Sequence, residues 1–369
     1  HRFKSGPRLQ LLGKIMNKPL VHIYWPVDEA GNSHSRLEKH GIELLITDQG
    51  RENGIEKTKK TRQKIDPRAI CAAGIASQSL IVDEESLSSA KSLRLIAKYT
   101  VGYDNVNVEA ASKNGVLVVH SPTESNWGGV AEGTVAYMLT LLKKVREKDQ
   151  HVKNGGWRHP NLWGTYLGAR QIDNFDGITI GIVGLGRIGC RFASLLAPWR
   201  VKLIAFDPFV DENKFALHNV QPVDLDTLLK TSDVVSIHCN LNEGTEGLIG
   251  EKQLKLMKKT SILVNTARGP IVNIDALFHA LDKDLISGAA LDVLPEEPPK
   301  PQEPILGLGD KILLSPHMIT SNKGLGLDMA IPWVEEAILC AMRGEVPRHV
   351  VNPEIIPEWE ERVGKKSLI

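Results

Sequence analysis

The chain reads as α/β, built from two doubly wound parallel-sheet domains, on three observations. Short apolar, β-branched runs alternate with helix-like stretches. That rhythm stops near residue 127 and restarts near residue 178. At about 150 residues per domain, 369 residues leave room for two such units. Parallel strands need a crossover of helical length, and helices on both faces make the strands apolar throughout.

The first set of strands is LVHIYW (20–25), IELLIT (42–47), AICAAGI (69–75), LRLIAKYT (93–100) and VLVVH (116–120). Between them, DEESLSSAKS (83–92) opens with acids, as a helix N-terminus prefers. The stretch 128–154 has apolar residues at helical spacing and predicts one helix. At some 25 residues and 1.5 Å per residue it spans ~37 Å, long enough to bridge two domains. An irregular aromatic segment follows at 155–177. The second set is ITIGIVG (178–184), KLIAFD (202–207), VVSIHC (234–239), SILVNT (261–266), GAALDV (288–293) and KILLSP (311–316). The tail 329–345 reads as a closing helix that Pro332 either starts or kinks.

Lys plus Arg number 45 against 44 Asp plus Glu, a formal charge of +1. Such neutrality removes the broad attraction a nucleic-acid or anionic-membrane binder needs. No apolar run approaches the ~18–20 residues of a membrane span. Cys71, Cys190, Cys239 and Cys340 lie far apart with no C-x-x-C pair, which argues against a disulfide scaffold or a cysteine zinc site. No metal and a cytoplasmic location are therefore expected. Residues 1–17, basic and without an acid, read as a frayed leader or remnant outside the fold in preference to a targeting segment.

GIVGLGRIG places Gly184, Gly186 and Gly189 in a G-x-G-x-x-G between a buried strand and a helical run. A Cβ here would keep the backbone from a pyrophosphate, which the helix N-terminus then meets with its positive end. Asp207, eighteen residues past Gly189 at the next strand's end, suits the adenosine ribose hydroxyls and repels a 2′-phosphate. The cofactor expected is NAD.

Three later strand ends carry Arg268, Glu297 and His317. Ligands of open α/β sheets bind beyond the carboxyl ends of strands, so these three can converge on a nicotinamide. Hydride transfer to a 2-oxo acid needs a planar cation for the carboxylate, which Arg268 supplies. It also needs a proton donor titrating near neutrality, which His317 supplies. Glu297 beside the imidazole would favour its charged form, putting His317 above its free value of ~6.5.

Taken together, VGYDNV (101–106), GLGRIG, TARG, ALDVLPEEPP and the PH pair resemble the D-isomer-specific 2-hydroxyacid dehydrogenase family, over residues 19–352. The resemblance implies a substrate domain made from residues 18–127 and 324–369, flavodoxin-like, with a Rossmann cofactor domain, 128–323, inserted. It implies an active site in the cleft and a homodimer. By position, Arg268, Glu297 and His317 match the catalytic residues; Arg187 and Ile188 match pyrophosphate contacts, and Asp207 the ribose acid. Thr266, Ala267 and Asp292 match residues around the nicotinamide, and Cys239 a further cofactor contact. Val101 and Gly102 match the loop whose amides hold the substrate carboxylate, and Ser77 lies near the matching first-domain loop. Departures include Asn240, Ile319, Thr320 and the segment 120–129. Trp163 is a candidate to reach a partner's substrate pocket, or to pack in the dimer interface.

The activity expected is NAD-dependent transfer of hydride between a D-2-hydroxyacid and its 2-oxoacid. Two readings stand beside it: a non-enzymatic NADH-sensing scaffold of the corepressor type, and a phosphite dehydrogenase-like enzyme.

Overall fold

A computed structural model describes residues 18–27, 34–47, 51–52, 55–56, 61–75, 80–322, 327–364 and 366–369. The leader reading of 1–17 and the Ser77 assignment lie outside the described residues. The chain divides into two compact units.

One unit comprises the described residues up to Pro122 together with Leu327–Ile369. Its strands are β1 (Leu20–Trp25), β2 (Glu43–Ile46), β3 (Ala69–Gly74), β4 (Leu95–Lys98) and β5 (Leu117–Val119), all parallel in the order β2-β1-β3-β4-β5. That order is the flavodoxin-like one. Every side chain of β1 and β4 is buried, as a sheet covered on both faces requires. Val21, Ile23, Ile96 and Val118 share a core with Ile338 and Trp359 from the end of the chain. Side chains stitch the two segments together: Trp359 Nε1 donates to the Arg94 carbonyl at 2.8 Å, and Asn352 Oδ1 accepts the Val118 amide at 2.9 Å. Two short two-stranded ladders lie outside this sheet.

The other unit, Thr123–Gly326, carries β6 (Thr179–Val183), β7 (Lys202–Phe206), β8 (Gln221–Pro222), β9 (Val234–Ile237), β10 (Ile262–Asn265), β11 (Gly288–Leu291) and β12 (Ile312–Leu314). All are parallel, in the order β8-β7-β6-β9-β10-β11-β12. The chain therefore starts in the middle, winds one way, and returns past β6 to wind the other, a Rossmann arrangement. Alternation along the strands feeds a core on each face. Ile180, Ile182 and Val264 join Met138 and Phe192, while Val183, Val235 and Leu263 join Leu228 and Leu277.

Several elements differ from the sequence expectation. The long helix starts earlier, at Glu124, and ends at Leu142; a second helix runs Val145–Lys153. Lys144 separates them in left-handed backbone, φ 53°. The cause lies outside the helix, because the 155–177 segment folds back and caps the helix end. The Thr165 amide donates to the Leu142 carbonyl at 2.8 Å, and Lys143 Nζ donates to the Thr165 carbonyl at 2.6 Å. Pro332 lies in the first turn of the helix Ile331–Arg343 and so starts it without a kink. β1 ends with its apolar run at Trp25, while the other strands predicted from such runs stop one or two residues sooner than the runs do. The short β8 and the helix Ile356–Val363 had no periodic signal long enough to read.

Candidate active site

The glycines of the first turn each answer a different demand. Gly184 follows β6 with φ +96°, and a Cβ there would lie 2.6 Å from the Cys239 amide nitrogen. Gly189 lets the helix Arg187–Leu196 pack on that turn, since its Cβ would meet the Gly184 carbonyl at 2.2 Å. Gly186, the helix N-cap, faces open space. Sterics inside the chain thus explain Gly184 and Gly189. Gly186 leaves bare backbone at the positive end of a ten-residue helix, and the cradle fits a pyrophosphate. Arg187 is exposed and Ile188 half-buried on the first turn.

Asp207 stands one residue past β7. Its Oδ2 accepts the Leu185 amide at 2.8 Å and its Oδ1 the Phe209 amide at 3.0 Å. Each carboxylate oxygen keeps acceptor capacity, so ribose hydroxyls can still be received. The two amides fix the acid against the glycine turn. Cys239, half-buried just past β9, is pushed up to about 11 by burial and stays a neutral thiol.

Beyond β10 the backbone is shaped by a residue the sequence reading passed over. Asn265, 1% exposed, accepts the Ala267 amide at Oδ1 (3.0 Å) and donates from Nδ2 to the Arg268 carbonyl (2.9 Å). This tight turn presents Arg268, half-buried, whose Nη1 also donates to the Ala267 carbonyl at 2.7 Å. Thr266 is buried, its hydroxyl 3.0 Å from that of Thr134 on the long helix.

Glu297 and His317 meet. Glu297 Oε2 lies 2.8 Å from His317 Nδ1, while Oε1 accepts the Leu294 amide at 2.9 Å. The carboxylate is thus fixed from its far side, and it fixes the ring. Around His317 the enclosing protein lowers the pKa, yet the hydrogen bond and the charge of Glu297 outweigh it. The net shift is upward from 6.5, as expected. Arg268 is near enough for its charge to oppose that rise and Asp292 near enough to support it. The guanidinium, imidazole and carboxylate are therefore gathered in one unit.

His317 itself is in left-handed backbone, φ 54°, and Asp292 holds it there. The His317 amide donates to the Asp292 carbonyl at 2.8 Å; the Asp292 carboxylate accepts the Met318 and Ile319 amides at 3.0 and 3.1 Å and the Ser315 hydroxyl. Burial raises the Asp292 pKa, and these donors oppose the rise. Val101 and Gly102 belong to the other unit, on the turn after β4. Of the aromatic segment, Trp157, Trp163 and Tyr166 are 71%, 78% and 51% exposed.

Residues 135–318 match the family model described as D-isomer specific 2-hydroxyacid dehydrogenase, NAD binding domain. The chain is 34% identical over 346 residues to a glyoxylate reductase of Korarchaeum cryptofilum, covering 92% of this chain and 97% of that protein. It is 35% identical over 333 residues to a D-3-phosphoglycerate dehydrogenase of Archaeoglobus fulgidus, covering 90% of this chain and 59% of the relative. Among solved structures, it resembles the D-lactate dehydrogenase from Aquifex aeolicus complexed with NAD and lactic acid. That match has a TM-score of 0.73 at 26% identity over 88% of this chain and 96% of the other. No helix among the described residues is long and apolar enough to cross a membrane.

Proposed function

Since this chain belongs to the D-isomer specific 2-hydroxyacid dehydrogenase family, as an NAD-binding oxidoreductase of it, we propose that it interconverts a small D-2-hydroxyacid and its 2-oxoacid. The observation that carries the reading is the 2.8 Å contact of Glu297 with His317 Nδ1. With Nδ1 committed to the carboxylate, Nε2 is the nitrogen left to face a substrate oxygen. The nicotinamide, when bound, gives or accepts the hydride. In reduction, Arg268 holds the 2-oxoacid carboxylate through its planar fork, and His317 delivers the Nε2 proton to the carbonyl oxygen. The imidazole left behind is neutral, still bonded to Glu297 through Nδ1. Oxidation of the alcohol returns the proton to Nε2. We assign the cofactor to the Thr123–Gly326 unit, through Gly184, Gly186, Arg187, Ile188, Gly189, Asp207, Cys239, Thr266, Ala267 and Asp292. The amides of Val101 and Gly102 are assigned to the substrate carboxylate.

Reduction of glyoxylate, hydroxypyruvate, pyruvate and larger 2-oxo acids, followed by NADH absorbance, tests the activity and ranks the substrates. His317→Ala should lower kcat by ~10²–10⁴-fold with NADH binding retained. Turnover close to wild type would remove His317 from the chemistry. We also propose a homodimer that covers the exposed rings of Trp157 and Trp163. A monomer in analytical ultracentrifugation would refute it.

A further inference from the structure

The unit made from both ends of the chain buries a lysine that the chemistry above does not use. Lys98 ends β4 and is 0% exposed. Its Nζ donates to the Ile75 carbonyl, just past β3, at 2.7 Å and reaches the Tyr24 hydroxyl of β1 at 3.4 Å. Both partners are neutral, and an ammonium so enclosed is costly to keep charged. Burial accordingly brings Lys98 from 10.5 down to about 7, with the charge of Asp104 partly opposing.

Two titratable groups face it. Burial pushes the Tyr24 hydroxyl up, so it stays neutral, and Asp104 follows on the loop after β4. The helix Ile331–Arg343 packs against β4, but its buried acid, Glu335, is directed to His34 at 3.9 Å.

The same residue sits at the root of the loop Thr100–Gly102. The Lys98 carbonyl accepts the Ser121 hydroxyl at 2.8 Å, and the Ser121 amide donates to the Thr100 carbonyl at 3.1 Å. Thr100 Oγ1 donates to the Gly102 carbonyl at 2.7 Å, and His120 Nδ1 lies 2.8 Å from the Val101 carbonyl. Lys98 therefore joins the carboxyl ends of β3, β4 and β5 beneath this loop.

We propose that Lys98, buried at the end of the strand that leads into the Val101–Gly102 loop, is a positioning residue that couples uptake of a proton to binding of the substrate carboxylate there. The proposal rests on the assignment of that loop to the carboxylate. An anion on the loop favours the charged amine, and by reciprocity the charged amine favours the anion. Below pH ~7 the lysine is already charged and KM is low. Above it the proton must be supplied on binding, and KM climbs.

The test is the ratio of KM in Lys98→Met to KM in wild type, followed from pH 6 to pH 9. A coupling of about tenfold, within the usual range, gives a ratio of ~10 at pH 6 that falls toward one by pH 9. Lys98→Arg, charged throughout, should keep KM low at high pH. His317 titrates in all three proteins and cancels from the ratios. A ratio independent of pH overturns the proposal, because a merely structural defect raises KM equally at every pH. Should Lys98→Met fail to fold, the wild-type protein labelled with ¹³Cε-lysine answers alone. One lysine signal, absent from Lys98→Arg, should titrate near 7 and move upward when oxalate is added. No such signal, or one that oxalate leaves in place, overturns it. If wild-type protein reduces no 2-oxo acid, the proposed activity falls instead, and the oxalate titration still decides Lys98.

Discussion

The amide of His317 donates to the carbonyl of Asp292 at 2.8 Å, so the proposed proton donor hangs from the main chain of a residue whose side chain grips the next two amides. Left-handed backbone at a non-glycine residue costs roughly 1–3 kcal/mol and persists only where its surroundings impose it. Asp292 supplies that imposition from the end of β11.

Asp292→Asn tests the clamp. Asparagine can keep an oxygen at the Oδ1 place that accepts both amides and the Ser315 hydroxyl, but a neutral oxygen holds these donors more weakly than the carboxylate does, by about 1 kcal/mol. Urea unfolding should register that loss, and kcat should fall with it. Because the Asp292 charge supports the raised His317 pKa, the fall in reductase activity with rising pH should also move to lower pH. Unchanged stability with unchanged kcat would show that the turn holds itself.

Glu297→Gln separates charge from shape. In the proposed reduction His317 must be protonated, and Glu297 raises its pKa. With glutamine, the loss of reductase activity should begin at lower pH. In the oxidative direction, where neutral imidazole is needed, the rise of activity should begin lower by the same amount. Profiles that coincide with wild type in both directions would break the proposed link.

Paired glycine substitutions distinguish folding from binding. Gly184→Ala places a Cβ 2.6 Å from the Cys239 nitrogen at φ +96°, so it should cost more than ~1 kcal/mol of stability in urea titrations. Gly186→Ala meets open space, so stability should stay within ~0.5 kcal/mol while NADH affinity, read by fluorescence, weakens. Full NADH affinity in Gly186→Ala would place the pyrophosphate elsewhere.

Asp207→Ala should weaken NADH and spare or improve NADPH, since the acid repels a 2′-phosphate. The substitution also strands the Leu185 and Phe209 amides. Equal loss of both cofactors would mean the glycine turn had collapsed.

Much of this is legible in the sequence. Strand identity followed from β-branched runs, and Gly184, Asp207, Arg268, Glu297 and His317 from their places beside strand ends. What escaped has a common physical character. Asn265, Ser315 and the amide-binding role of Asp292 act through side-chain bonds to backbone, which leave no periodicity in a sequence. Lys98 is one polar residue within the run 93–100, and its burial depends on Tyr24 and Ile75, distant along the chain. The helix break at Lys144 likewise depends on Thr165, twenty-one residues later by number.

The sewing of Trp359 to Arg94 and of Asn352 to Val118 carries a consequence for birth on the ribosome. Domains generally fold as they emerge, the earlier first. Here β1–β5 lack Ile338 and Trp359 until the ribosome has passed Thr123–Gly326, which is contiguous and can condense alone. Thr123–Gly326 should mature ahead of the unit that holds β1–β5, leaving those strands in the care of chaperones meanwhile.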